Sequence, residues 1–250
     1  MLEPNLKTYL LVCLILLNFS LFGQKDSIRI KQTKQKSFLK QSIVPFSLIG
    51  AGLIINFSNG AIGKENLQEQ IQNTFPDFNT NAEDFFLFVP TLTMYTADIF
   101  KVKSKNSAFD QTKYLTIALL ANNLITFGLK ATTNMERPNG EDNQSFPSGH
   151  ASNAFVMATA LHHEFIDTNV WLAYSGYLFA TTTAVFRVLN NKHWVSDVLV
   201  GAGLGIIITD LVYRLEPLKN WNPFNNERVH VTVAPSYIKK GFGVYANISF

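Results

Sequence analysis

Eight residues of this 250-residue chain have types and spacing that could do chemistry together: Lys130, Arg137, Ser148, Gly149, His150, Arg187, His193 and Asp197. They fall in three short stretches: Lys130 to Pro138, Phe146 to His150, and Arg187 followed by His193 and Asp197. Three cations, two imidazoles and one carboxylate suit a site that grips a phosphate, attacks it with an imidazole and protonates the leaving oxygen. His193 and Asp197 are four apart at the start of an apolar helical run, so they share a face one turn apart. A carboxylate there accepts a hydrogen bond from one ring nitrogen, fixes the tautomer and leaves the other nitrogen free to attack. Ser148 reads as a helix cap, Gly149 has no Cβ to obstruct an oxyanion, and helix N-terminal amides favour anions. Pro138 pushes Arg137 toward an extended conformation. A clamp of Lys130, Arg137 and Arg187 would stabilise the equatorial oxygens of a transferring phosphoryl group. His150 is then free to act as general acid.

Taken singly, each residue has an ordinary explanation. A charge at a helix end is usually solvated or paired with the helix dipole, a Ser-Gly pair is usually a turn, and an isolated His is more often structural than catalytic. Their joint occurrence in order, at the ends of helical runs, reverses those odds.

The pattern Lys-x6-Arg-Pro, Pro-Ser-Gly-His and Arg-x5-His-x3-Asp resembles the type 2 phosphatidic acid phosphatase and vanadium haloperoxidase superfamily, over roughly Pro45 to Leu215. The resemblance implies that His193 is a nucleophile forming a phosphohistidine, that Asp197 orients it, and that His150 protonates the leaving group. It implies phosphate contacts from Lys130, Arg137, Ser148, Gly149 and Arg187, with no metal and no cofactor. One position departs from the pattern: the family usually has Ser before the last Arg, and this chain has Phe186.

The elements that must position these residues are apolar runs at Ile43–Phe57, Phe85–Phe100, Tyr114–Leu129, Ala151–Phe165, Val170–Val188 and Val195–Leu215. The runs predict an all-α, membrane-associated six-helix bundle with the motifs at the ends of helices three to six. Lys64–Asn73, rich in Glu and Gln, reads as an exposed amphipathic helix. Past Trp221, alternation at Val229, Val231 and Val233 and again at Val244, Ala246, Ile248 and Phe250 predicts a short C-terminal β-hairpin. The expected organisation is a signal peptide over 1–23, a polar linker over 24–41, a helical phosphatase domain over 42–218 and a tail over 219–250. The signal reading rests on Lys7 followed by the apolar stretch Tyr9–Phe22; its rival is an uncleaved anchor helix.

Most runs are shorter than the roughly 20 residues of a membrane span, and several carry polar breaks such as Asn122-Asn123 and His162-His163. Three full crossings would also place Lys130 and Arg137 on the cytoplasmic side, so a site facing the periplasm requires that one early run does not span. Against a wholly periplasmic bundle, Val170–Val188 and Val195–Ile208 are apolar around much of their circumference and rich in small residues, which suits helix packing in lipid.

A net charge of +3 gives no basis for nucleic-acid binding, and no basic stripe interleaves with aromatics. The single Cys13 excludes an intrachain disulfide. The expectation is a metal-independent phosphatase of the cell envelope acting on a phosphorylated substrate, in particular a lipid, at a membrane. The rivals are a soluble periplasmic acid phosphatase, a vanadium haloperoxidase and a non-catalytic lipid-binding scaffold.

Overall fold

The computed structural model describes residues 38–215, 217–218, 221, 230–238 and 241–249. The segment read as a signal peptide, most of the segment read as a linker, and Val229 and Phe250 of the hairpin reading lie outside the described residues. The chain divides into two units, one ending at Tyr213 and one over Arg214–Phe250.

The first unit is helical. Its α-helices are α1 (Phe38–Phe57), α2 (Lys64–Thr74), α3 (Ala82–Phe86), α4 (Val89–Ile99), α5 (Ala108–Thr133), α6 (Gly149–Phe165), α7 (Val170–Leu189) and α8 (Val195–Arg214). Two features depart from the six-run reading. The run Phe85–Phe100 is broken at Leu87 and Phe88 into α3 and α4, with Pro90 in the first turn of α4, where a missing N–H costs nothing. The Glu- and Gln-rich segment is not simply exposed: Gln68 of α2 is buried, and its amide donates to Val188 O at 3.0 Å and to Asn191 Oδ1 at 2.8 Å. Gln72 donates to Leu189 O at 3.3 Å. Glutamine amides from α2 therefore satisfy carbonyls that the end of α7 leaves without helical partners.

Helix α6 is the centre of the bundle. Ala151, Ala154, Val156, Ala158, Ala160, Leu161 and Phe165 are all fully buried on it, and its small residues let neighbouring helices approach closely. Helix α8 approaches from one side without side chains in the way. A Cβ on Gly201 would lie 2.7 Å from the carbonyl of Ser148, and one on Gly203 would lie 2.6 Å from the carbonyl of Pro45 in α1. Gly201 therefore presses α8 against the residue that starts α6, which fixes two of the three motifs relative to each other.

Helix α5 begins at the cap Ser107, whose hydroxyl accepts from Asp110 N–H, and ends at Asn134 in the left-handed conformation (φ 46°, ψ 44°). Asn is one of the few non-glycine residues that adopt this conformation at a helix end, and it turns the chain just after Lys130. The outer face of α5 carries Leu120, Leu124 and Phe127, exposed at 66, 75 and 68%. That is an apolar stripe at i, i+4 and i+7. Helices α5 and α8 are long and apolar enough to cross a membrane.

The second unit contains β1 (His230–Ile238) and β2 (Gly241–Ser249). They pair antiparallel with Val231 opposite Ile248 and Val233 opposite Ala246.

Candidate active site

His193 lies in the short link between α7 and α8 and is 1% exposed. Its backbone N–H donates to Arg187 O at 3.3 Å, which ties the end of the link to the last turn of α7. Nδ1 of the ring lies 3.3 Å from Oδ2 of Asp197. The carboxylate is fully buried. It also accepts from the Ser145 hydroxyl at 2.5 Å, from Trp194 N–H at 3.0 Å and, at Oδ1, from the Ser196 hydroxyl at 3.3 Å. A carboxylate engaged by this many donors holds one orientation.

The other ring nitrogen, Nε2, faces Nη1 of Arg137 at 3.3 Å. A guanidinium has donors and no acceptor, so Nε2 must present its lone pair and the proton must sit on Nδ1, toward Asp197. Burial pulls the imidazole from its ordinary value near 6.5 down to about 4; Asp197 opposes the shift, and Arg187 and Arg137 add to it. His193 is therefore neutral at physiological pH, with the lone pair that a nucleophile needs.

Arg137 is held by three further contacts. Its Nε donates to Asp142 Oδ1 at 2.7 Å, its Nη1 to Lys192 O at 3.1 Å, and its backbone N–H to Asp142 O at 2.9 Å. The guanidinium beside Asp142 holds that carboxyl below the usual carboxylate range. Lys130 Nζ reaches the carbonyls of Gln144 and Ser145. This places it against the same loop that gives Ser145 to Asp197.

Ser148 is the N-cap of α6, accepting from Ala151 N–H at 3.4 Å, and its own N–H donates to Asp197 O at 3.1 Å. A hydroxyl that accepts in this way still carries a proton that it can donate to an anion. A Cβ at Gly149 would meet no protein atom within 4 Å, so the space beside the first turn of α6 is open. Arg187 is 5% exposed, and its Nε is buried with no hydrogen-bond partner among the described residues. A buried guanidinium N–H without a partner is costly, and an anion oxygen would satisfy it.

All three sequence motifs thus meet at one end of the helical unit. His150, in the first turn of α6, is half-exposed, and its Nε2 lies 3.0 Å from Asp84 Oδ1 of α3. Burial and the nearby Arg187 lower the affinity of His150 for a proton, and Asp84 and Glu83 oppose that.

Several residues at the site carried no sequence signal of their own. Glu83 is fully buried, with its Oε1 accepting from Asn190 Nδ2 at 2.6 Å and lying 3.5 Å from Arg187 Nη1 and 3.6 Å from Lys192 Nζ. Asp84, Asp142 and Ser145 join it. An acidic pair in the first turn of a short helix reads as an ordinary dipole partner, and nothing in its spacing links it to Arg187.

Phe186 points away from this polar set. Its ring packs 5.5 Å from Phe78 and 5.9 Å from Phe86, and Phe86 in turn lies 5.9 Å from Phe179. Residues 186 and 187 differ by about 100° around α7, so the phenylalanine docks α3 while the arginine faces the site. Among the described residues, no group of three or more His, Cys, Asp or Glu side chains is placed to hold a metal ion.

Residues 111–221, which carry all three motifs, match the profile of the PAP2 superfamily. The curated relatives it matches include lipid A 1-phosphatase of Porphyromonas gingivalis, 31% identical over 157 residues, covering 62% of this chain and 35% of that protein. Another is a probable lipid phosphate phosphatase beta of Arabidopsis thaliana, 33% identical over 90 residues, covering 26% of this chain and 42% of that protein. The chain spans well under two thirds of either relative. Among solved structures, similarity extends to Aquifex aeolicus LpxE, with 23% identity and a TM-score of 0.44 over 58% of this chain and 93% of that one. It extends also to the transmembrane PAP2-type phosphatidylglycerolphosphate phosphatase of Bacillus subtilis, with 21% identity and a TM-score of 0.49 over 72% and 98%.

Proposed function

We propose that the protein is a lipid phosphate phosphatase of the cell envelope that hydrolyses a phosphate monoester or pyrophosphate through a phosphohistidine on His193. The observation that carries this reading is the double engagement of the His193 ring, with Nδ1 toward Asp197 and Nε2 toward Arg137. A neutral buried imidazole whose lone pair faces a guanidinium is set to attack whatever anion that guanidinium binds.

The phosphate sits among Lys130, Arg137, Arg187, the Ser148 hydroxyl and the amides beside Gly149. These donors spread over the equatorial oxygens and strengthen as charge develops there. Nε2 of His193 forms a bond to phosphorus as the bond to the leaving oxygen breaks, and the imidazolium character that develops is stabilised by Asp197. His150 gives a proton to the leaving oxygen. Water then attacks the phosphohistidine, His150 takes a proton from it, and Nε2 leaves phosphorus with its lone pair restored.

Two observations support a lipid substrate at a membrane: the exposed apolar stripe on α5 and the lipid phosphatases among the relatives. On this reading α5 lies in the bilayer and the site opens at its periplasmic surface. The test is a phosphate-release screen of the purified protein against phosphatidate, isoprenyl pyrophosphate and lipid A phosphates, with His193→Ala as the blank. Release from at least one lipid phosphate, absent in the blank, is expected. Release confined to water-soluble esters would reject the lipid assignment.

A further inference from the structure

Helix α3 is only five residues long, yet it places two adjacent carboxylates on two different groups of the site. Glu83 turns inward to Arg187 and Lys192, and Asp84 reaches His150. The helix is held in place by Phe86, whose ring packs against Phe179 and Phe186 of α7. This apolar packing seats α3 against α7, alongside the hydrogen bonds that Asn190 gives to Glu83 and to the Thr80 carbonyl.

Resting on the phosphatase reading above, we propose that Asp84 is the positioning residue of His150. The site then holds two histidine–carboxylate pairs, His193–Asp197 for attack and His150–Asp84 for proton transfer. The contact at 3.0 Å occupies Nε2 of His150. That nitrogen keeps its proton and donates it to Asp84 throughout, so transfer to and from substrate runs through Nδ1. In the first step the Nδ1–H bond of the imidazolium breaks, an O–H bond forms on the leaving oxygen, and the ring is left neutral with Nε2–H still on Asp84. In the second step Nδ1 accepts a proton from the attacking water, and the imidazolium is restored. Without Asp84 the neutral ring could hold its proton on either nitrogen, and half of its tautomeric freedom would be unproductive.

The charged groups that bear on His150 are Arg187 from α7, which disfavours the imidazolium, and Asp84 and Glu83 from α3, which favour it. Bound phosphate adds negative charge beside Arg187 and relieves its effect, so the acid form of His150 is favoured when substrate is present. Asp197 belongs to the other histidine.

The pair is exposed, with 37% of the His150 and 58% of the Asp84 side chain open to solvent. Exposed ion pairs contribute little to folding, so Asp84→Asn should melt within about 2 °C of wild type. Its catalytic effect should depend on the leaving group. An alkyl ester such as phosphatidate needs protonation of its leaving oxygen, whereas p-nitrophenyl phosphate releases an acidic phenol that departs without it. For Asp84→Asn, kcat on phosphatidate should fall by roughly 10- to 100-fold, a part of what a general acid supplies. On p-nitrophenyl phosphate the loss should be under about threefold, with KM little changed on either. Asp84→Glu should recover most of the activity, and Asp84→Asn should cost nothing further in a His150→Ala background. The ring titration of His150, followed by NMR in detergent, should move to lower pH in Asp84→Asn.

Equal losses on both esters, or additive losses in the double variant, would overturn the assignment. If the wild type turns over neither ester, the phosphatase reading is judged on the wider lipid phosphate panel instead. The His150 titration then decides the pairing alone, and an unmoved midpoint in Asp84→Asn rejects it.

Discussion

Nε2 of His193 lies 3.3 Å from the Arg137 guanidinium, while Nδ1 of the same ring lies 3.3 Å from the Asp197 carboxylate. The two neighbours have opposite hydrogen-bonding capacities, so together they admit only one neutral tautomer. Asp197→Asn would admit the other, because its amide can donate to Nδ1 and push the ring proton to Nε2. Turnover should then fall by roughly 10³–10⁴-fold, the scale of losing a tautomer-fixing carboxylate. Rapid quench with labelled substrate should trap an acid-labile, base-stable phosphoenzyme in the wild type and almost none in Asp197→Asn. Label that survives acid but not alkali would place the phosphoryl group on a carboxylate and reject His193 as nucleophile.

The depressed pKa of His193 has a consequence for stability. The folded state holds this ring neutral down to about pH 4, whereas an unfolded histidine takes up its proton near pH 6.5. Below the unfolded value the unfolded state binds more protons, so stability falls as pH falls. The contribution is complete above about pH 6.5 and lost progressively toward pH 4, amounting to roughly 3 kcal/mol over that window. Melting curves between pH 7 and 4 should show a smaller decline for His193→Gln than for wild type. Parallel declines would mean that the ring is not held neutral.

The cations Lys130, Arg137 and Arg187 can stabilise the phosphoryl group without a metal ion, a role they share with metals in other phosphoryl-transfer sites. Hydrolysis should persist in excess chelator and be inhibited by vanadate, whose trigonal-bipyramidal geometry on Nε2 matches the transition state. A strict divalent-metal requirement in single-turnover experiments would refute the mechanism.

The polar core of the site was legible because its residues recur at fixed spacings beside apolar runs. His193 and Asp197 announce themselves by an i, i+4 interval, and Ser148 by its place before a helix. Glu83 and Asp84 were not legible. Their partners lie more than sixty residues away, and a Glu-Asp pair opening a short helix satisfies a dipole rule that explains it without any site. Gln68 misled for a related reason: a Gln- and Glu-rich helix reads as solvent-facing, yet its amides are needed by the carbonyls at the end of α7. The break between α3 and α4 was hidden because the apolar character of Phe85–Phe100 continues through it. Hydrophobic pattern reports burial, not chain direction.

Glu83 makes a prediction about anion binding. It is the buried counter-charge to Arg187 and, in part, to Lys192. Glu83→Gln leaves a buried cation uncompensated, a change that costs roughly 3–5 kcal/mol when nothing replaces the partner. On the proposed function, phosphate binds the same guanidinium and can replace it. The variant should melt well below wild type in phosphate-free buffer and recover a larger share of its stability on addition of phosphate or vanadate. Inhibition by product phosphate should also be stronger, since one negative charge near the anion is gone. Equal stabilisation of both proteins by phosphate would show that Arg187 does not face the anion.

Phe186 occupies the position where the superfamily pattern usually has serine, and the fold gives it a different task. Its ring meets Phe78 and Phe86, and Phe86 is the residue that seats α3, two positions from Asp84. Removing the ring should therefore act on the site indirectly. Truncating a fully buried phenylalanine costs roughly 3–5 kcal/mol; for this half-buried ring about 2 kcal/mol is expected, a drop of about 4–8 °C in melting temperature for a domain of this size. Phe186→Ser should lose activity rather than gain it, because α3 would no longer hold Glu83 against Arg187 or Asp84 against His150. Phe186→Leu keeps most of the apolar contact and should retain most of both stability and turnover. A hydroxyl at 186 that reached the phosphate would give the opposite result. Phe186→Ser would then turn over faster at an unchanged melting temperature, and the aromatic contact with α3 would be shown to have no part in catalysis.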